Sequence, residues 1–397
     1  MVPLEYAINR LVAAASPVRE IERLPLLTAR GRVLAEAQES GIDVPRWPNS
    51  AMDGYAVRLA DVTSVGTRLR VSQRVPAGTV GPALRPGTAA RIFTGAALPA
   101  GAEAVVMQEQ CAADGDDVTL NALPQPGEHI RPAGDDIRLG ERVLSAGIRL
   151  APQHLGLAAS VGIAELPVYR RLKVALFCTG AELVDPGRPL HPGGIYNSNR
   201  YVLRALCEHC GCTVTDLGIV ADSLDATRLV LRQAAADHDL ILSSGGVSVG
   251  EEDHVKPAVE MEGELKLWKI AIKPGKPLAF GRVGEAAFIG LPGNPVAAFV
   301  TFLLLVRPFI SAAQGMTDTA YATIAAEVAF DWPGGQRRRE FLRVRRDADG
   351  RLHLFSNQSS GVLSSVAWAD GLVDVPAGAR LQTGDSARFI PLSALMS

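Results

Sequence analysis

Very little in this sequence pulls it toward nucleic acid, a membrane or the oxidising world outside the cell. Its 40 basic and 42 acidic residues leave a net charge of −2, so no basic surplus attracts a polyanion. The longest apolar run, residues 296–306, is too short to cross a bilayer and is expected to form a buried helix. The first residues do not combine a charged stretch with an apolar core, so no secretory leader is expected. Five scattered cysteines, an odd number, favour a reducing cytoplasm over a disulfide framework. Cys207, His209, Cys210 and Cys212 lie close together, but no second Cys-x-x-Cys accompanies them and they straddle a helix end and a strand start. Small buried thiols are ordinary at such a place, and zinc is not expected. The seven histidines offer no Ser-His-Asp order, which removes the evidence for acyl transfer.

What the chain does have is length for two to four domains at ~150 residues each, and one stretch dense in chemistry. Leu240, Ile241 and Leu242 read as a buried strand, followed by a loop at 243–253 with three glycines, three serines including Ser248, and an acidic end at Asp253. Glycine lets backbone N–H groups approach an anion that any Cβ would hold off. Taken alone, such a loop is equally well a plain turn. Asp253 supplies the charge that a magnesium ion bridging to phosphates requires. Further on, Lys269, Lys273 and Lys276 share one short segment, two of them beside prolines. Proline-flanked lysines are commonly solvated surface. Leu291-Pro292-Gly293-Asn294-Pro295 then leads into the apolar helix, with Asn294 as N-cap and Pro295 at the first helical position. The conjunction of anion loop, acid and lysines in one α/β unit favours the functional reading.

Elsewhere, Leu4, Ala7, Ile8, Leu11 and Val12 fall on one helical face. Residues 44–57 are proline-bounded and polar, as in a domain linker, yet Asn49, Ser50, Asp53 and Tyr55 are also what a polar site uses. Residues 69–136, rich in Gly, Pro and Val, suggest an inserted β-domain in which 91–106 pairs two strands through a turn. Asp135 and Asp136 close it, either as a solvated turn or as a cation site. From Lys173 strands and helices alternate, with a helix at about 199–210 and a strand at 214–219. Glu182, Asp222 and Asp253 then fall after successive strands of a parallel sheet, where ligands of such sheets gather. Beyond Tyr321 the pattern is β, with Asp349-Gly350 as a hairpin turn and a basic run at 337–343 that is either surface or an oxyanion contact.

The loop 243–253, the segments 273–277 and 291–295, and the Asn49-Ser50-Ala51-Met52-Asp53-Gly54-Tyr55-Ala56 run together resemble the molybdopterin molybdenumtransferase (MoeA) family, which includes the E domain of gephyrin. The match spans nearly the whole chain in the family's order. It implies a multidomain α/β plus β fold: a discontinuous N-terminal domain (1–44 and 140–169), an inserted β-domain (45–139), an α/β molybdopterin-binding domain with a parallel sheet (170–318) and a C-terminal β-barrel (319–397). It implies an elongated cytoplasmic homodimer that converts adenylylated molybdopterin and molybdate into molybdenum cofactor and AMP, with magnesium required. Implied partners are the molybdopterin adenylyltransferase and molybdoenzyme maturation factors, with no nucleic acid and no membrane. Carried over by position, Asp53, Thr94, Asp136, Glu182, Asp222 and Asp253 are catalytic, and Glu182, Asp222 and Asp253 are the metal ligands among them. Arg131, Ser248, Lys269, Lys273, Lys276, Pro292, Pro295, Arg338, Arg343 and Ser360 bind substrate or anion. The family commonly has an aspartate before the glutamate, where this chain has Ala181. Two other classes stay open: the adenylyltransferase or a related pterin- or nucleotide-binding hydrolase, which needs neither residues 49–56 nor the barrel, and a receptor scaffold.

Overall fold

A computed structural model describes residues 1–246 and 254–396. The α/β unit is built on a six-stranded sheet in the order Thr213–Val220, Lys173–Thr179, Leu240–Ser244, Ala286–Leu291, Pro277–Val283, Gly263–Lys269. The first four strands are parallel, as expected, and the last two are joined on through antiparallel ladders, Pro277–Val283 alone running against the rest, so the sheet is mixed. The reason is local: only Gly284 and Glu285 separate Pro277–Val283 from Ala286–Leu291. A two-residue connection can make only a hairpin, whereas a parallel pair needs a crossover.

Helices Ser198–His209 and Leu224–Asp237 fall in the connections between the parallel strands, each capped as its sequence dictates. Asn197 accepts from the N–H of Arg200, and Ser223 from that of Ala226. The long apolar helix runs from Pro295 to Ala313. Its middle, Phe302–Val306, widens into a π turn just ahead of Pro308, whose ring removes one N–H from the ladder. By length and composition this helix would cross a membrane, but 94% of its apolar window is buried in the protein. It is the core helix that the sequence suggests. Leu4, Ala7 and Leu11, one face of the helix Leu4–Ala14, dock on it. About 1.5–3 kcal/mol per fully buried large apolar side chain favours that docking.

Two short ladders bring residues from before and after the inserted sheet together: Ile21–Pro25 with Glu165–Tyr169, and Gln38–Glu39 with Arg142–Leu144. Between them lies a six-stranded sheet in the order Ala104–Met107, Gly54–Val57, Thr88–Ile92, Thr67–Val75, Asp117–Leu120, Cys111–Asp114. Two expectations change here. Residues 44–57 are not only a polar linker, because Gly54–Val57 is a fully buried strand. The two strands expected to pair within 91–106 do not pair with each other, because Gly54–Val57 lies between them, antiparallel to both. The connection across 93–103 has ample length to step over one strand, about 10 Å.

In the C-terminal unit, Leu352–Leu354, Arg339–Arg346, Gly371–Val375, Ser386–Pro391 and Ile324–Glu327 are successive neighbours. A bridge from Val328 back to Leu352 closes the ring. The Asp349-Gly350 turn joins Arg339–Arg346 to Leu352–Leu354, with Gly350 at φ +86°. A further strand, Ile272–Lys273, comes from the lysine segment of the α/β unit and pairs parallel with Arg339–Arg346. That pairing joins the two units along the cleft described next.

Candidate active site

A cleft of about 680 Å³ opens where the carboxyl ends of the parallel strands face the C-terminal barrel. Thr179 and Gly180 follow the strand Lys173–Thr179, and Glu182 lies two residues further on; Asp222 follows Thr213–Val220, Gly245 and Gly246 follow Leu240–Ser244, and Pro292, Gly293 and Asn294 follow Ala286–Leu291. Each of these segments lines the cleft. The opposite wall comes from Lys273 to Pro277 and, in the barrel, from Arg338, Gln358, Ser359 and Ser360.

The base is knitted together by Asn199, which is almost wholly buried. Its Nδ2 donates to Ser244 Oγ and to the carbonyl of Gly293, both at 2.8 Å. Ser244 Oγ in turn donates to Pro292 O at 3.3 Å, and Gly245 N to Leu291 O. Gly245 has φ +89°, and a Cβ there would lie 2.5 Å from Thr179 O. Its immediate need for glycine is therefore the close approach of a neighbouring strand end, independently of any anion. Asn199 escaped the sequence reading, since an asparagine in a first helical turn looks like local capping chemistry.

The lysine loop is pinned at several points. Ile270 N donates to Lys276 O at 2.7 Å, Arg338 Nη1 donates to Ile272 O at 3.2 Å, and Lys273 Nζ donates to Glu340 Oε1 at 3.0 Å. Gly275, at φ +106°, leaves no room for a Cβ beside Thr301 Oγ1, which would be 2.3 Å away. Lys276 projects into solvent-accessible space at the cleft. On the helix side, Asn294 is the N-cap and Pro295 the first helical residue, as the sequence indicates. The Asn294 side chain makes no capping bond, however, and Val296 N is satisfied by Ser360 O at 3.0 Å.

The structure thus brings Glu182, Asp222, Lys273, Lys276, Pro292, Arg338 and Ser360 into one cleft. Several other expected residues do not line it. Lys269 is exposed at the base of the lysine loop, opposite Pro277. Pro295 acts from behind, through the helix. Arg343 is buried on the outer face of the barrel, because it alternates with Leu342 and Val344, which fill the barrel core, and shares its face with Phe341. Asp53, Thr94, Arg131 and Asp136 belong to the inserted β-region. There Asp53 Oδ1 accepts from both the N–H and the hydroxyl of Thr94, at 2.8 Å each. These two bonds, the backbone one first, hold the Asp53 carboxyl below the usual range. Arg131 pairs with Asn49 on a two-residue ladder, and Asp136 is exposed. Ser248 and Asp253 lie outside the described residues. Gln358 and Ser359, which the sequence reading did not single out, complete the wall.

Three cations against two carboxylates, with Lys273 partly balanced by Glu340, make a cleft suited to anionic ligands. Joined to a closed barrel and an inserted sheet, it defines a multidomain α/β protein whose cleft is built for anionic ligands. Residues 2–162 match the MoeA N-terminal region (domain I and II), residues 175–312 a probable molybdopterin binding domain, and residues 325–392 the MoeA C-terminal region (domain IV). A molybdopterin molybdenumtransferase of Haemophilus influenzae is 45% identical over 79% of this chain and 78% of its own. Molybdopterin molybdenumtransferase 2 of Mycobacterium tuberculosis is 37% identical over 96% of this chain and 98% of its own. The crystal structure of a molybdopterin biosynthesis MoeA protein from Pyrococcus horikoshii OT3 superposes with a TM-score of 0.86, at 28% identity, over 98% of this chain and 100% of that one. This chain belongs to the MoeA family.

Proposed function

We propose that this chain is a molybdopterin molybdenumtransferase, which inserts molybdenum from molybdate into adenylylated molybdopterin and releases AMP and molybdenum cofactor. The observation that supports this best is the meeting of Lys273, Lys276, Arg338 and Ser360 with Glu182 and Asp222 in one cleft between the strand ends and the barrel. Molybdate, the metal-bearing substrate, is a small oxyanion. Lys276 Nζ, the Arg338 guanidinium and the Ser360 hydroxyl supply the charge and donors that such an anion needs. Lys273 joins them from its tether on Glu340. The adenylylated pterin then lies along the strand ends, its phosphates toward Gly245, Gly246 and the lysines. Its dithiolene accepts the metal, so no protein cysteine is needed.

The donor chemistry also fits magnesium. Glu182 and Asp222 are exposed carboxylates, and neither is in an ion pair among the described residues. Such hard oxygen donors suit Mg²⁺, and we assign both to it, together with Asp253. When bound, the ion would offset charge on the phosphate oxygens as the phosphoanhydride-like link to AMP breaks. Around that link the lysines hold the phosphates, while the knitted base through Asn199 keeps Pro292 and Gly293 in place.

The Asp53–Thr94 turn suits a contribution from a second subunit, because it is built as a polar site yet does not line the cleft of its own chain. We therefore propose a two-fold homodimer with two composite sites. The five free cysteines suit a reducing cytoplasm. The deciding experiment is AMP release from adenylylated molybdopterin with and without molybdate. Release that ignores molybdate and yields no metallated pterin would point instead to a nucleotide hydrolase.

A further inference from the structure

Arg343 is about 1% exposed and, among the described residues, stands first among the fully buried side chains by volume. A guanidinium so placed normally has a carboxylate partner. Here, among the described residues, none is within ion-pair distance. Its Nε donates to Ser365 Oγ at 3.1 Å, Nη1 to Phe341 O at 3.2 Å and Nη2 to Ser359 O at 3.3 Å. Its backbone is bound to the same loop from the other side. Arg343 N donates to Gln358 Oε1 at 2.9 Å, and Gln358 Nε2 donates to Arg343 O at 3.0 Å. One residue therefore grips Gln358 and Ser359, which line the cleft, and the next residue, Ser360, ties to the helix through Val296 N. Burial, with no opposing charge, pushes the guanidinium down to about 10, which leaves it charged at neutral pH.

We infer that Arg343 is the positioning residue for the oxyanion wall of the cleft. Its fork fixes the Gln358–Ser359–Ser360 segment at the depth where Ser360 meets the ligand. Its charge, unbalanced where it is buried on the outer face of the barrel, finds its compensation in the anion bound on the other side of that segment. This inference rests on the reading that the Arg338–Ser360 wall receives molybdate. An apolar side chain of similar length would be cheaper to bury than an unpaired cation, so a role toward an anion accounts for an arginine here better than packing does.

The test is a pair of titrations on the full chain, with molybdate alone and with adenylylated molybdopterin alone, for Arg343→Met, Arg343→Lys and Ser365→Ala. Ser365 is buried and outside the cleft, and its loss frees Nε. Molybdate affinity is expected to fall about tenfold in Arg343→Met, the scale of one charge-assisted hydrogen bond, with pterin affinity unchanged. Arg343→Lys should recover part of that loss through its charge, and Ser365→Ala should lose about twofold to threefold on the same scale. A molybdate affinity unchanged in folded variants, or equal losses for both ligands, overturns the inference. Should Arg343→Met fail to fold, Ser365→Ala and Arg343→Lys decide by the same criteria. Arg338→Ala and Ser360→Ala serve as controls: if these leave molybdate binding intact, the reading of the wall itself fails, independently of Arg343.

Discussion

Lys273 Nζ sits 3.0 Å from Oε1 of Glu340, a carboxylate only 3% exposed whose other oxygen accepts from Trp332 Nε1 at 2.8 Å. The pair crosses from the lysine loop to the barrel strand Arg339–Arg346, at the Ile272–Lys273 ladder. Lys276, three residues away, has no ion-pair partner among the described residues. Two lysines of one motif therefore have different duties.

Replacing them singly should separate those duties. Lys276→Ala is expected to weaken molybdate binding with little change in thermal unfolding. Lys273→Ala should weaken binding and also lower stability by about 1–3 kcal/mol, because it strips a buried carboxylate of its cation. The double variant should lose more affinity for molybdate than for adenylylated molybdopterin, since a small dianion has fewer other contacts. Calorimetric unfolding and equilibrium dialysis measure both; identical stability of the two single variants would contradict the division.

Asp222→Asn and Glu182→Gln should leave the fold intact and raise the magnesium concentration needed for half-maximal AMP release, because a neutral amide is a poor ligand for a hard cation. A magnesium titration of each variant checks this. An unchanged requirement in both would take these carboxylates out of metal binding.

The composite-site reading is tested by complementation. Asp53→Ala and Asp222→Asn, assayed at a magnesium concentration that supports wild type but not Asp222→Asn, are each inactive alone and should regain roughly a quarter of wild-type activity when unfolded, mixed and refolded with random pairing. Mixed dimers verified by mass and still inactive would place both residues in the site of one subunit.

Acid stability should depend on Asp239. Burial alone would raise its carboxyl, but the hydrogen bond from Arg170, then that from Lys173 N, together with their charges, leave it lowered. Arg170 binds it with two nitrogens, at 2.7 and 2.9 Å, and Lys173 N lies at 2.8 Å, where the first strand of the α/β sheet begins. Because folding lowers this group, its contribution is complete above the ordinary value of about 4 and fades as pH falls through the lowered one. Asp239→Asn should cost about 1–3 kcal/mol at pH 7, and the gap to wild type should shrink below about pH 4. Urea unfolding at pH 7 and pH 3 reads the difference; a constant gap would mean that Asp239 acts through packing alone.

Much was legible in the sequence because it rests on local rules. The strand Leu240–Ser244, the helix Ser198–His209, the Asn294–Pro295 helix start and the Asp349-Gly350 hairpin follow from apolar period, caps and turn chemistry, which act within a few residues. Strand ends that carry Glu182 and Asp222 likewise follow from the alternation of strands and helices. Tertiary structure decided the rest, because pairing between distant segments is set by burial that no local pattern encodes. It placed Gly54–Val57 between two strands that looked like partners, and it sewed Ile272–Lys273 onto the barrel. It also gave two arginines of one basic run different positions: Arg338, just before the strand, lines the cleft, while Arg343, five residues on within the strand, is buried on the barrel's outer face behind the cleft wall.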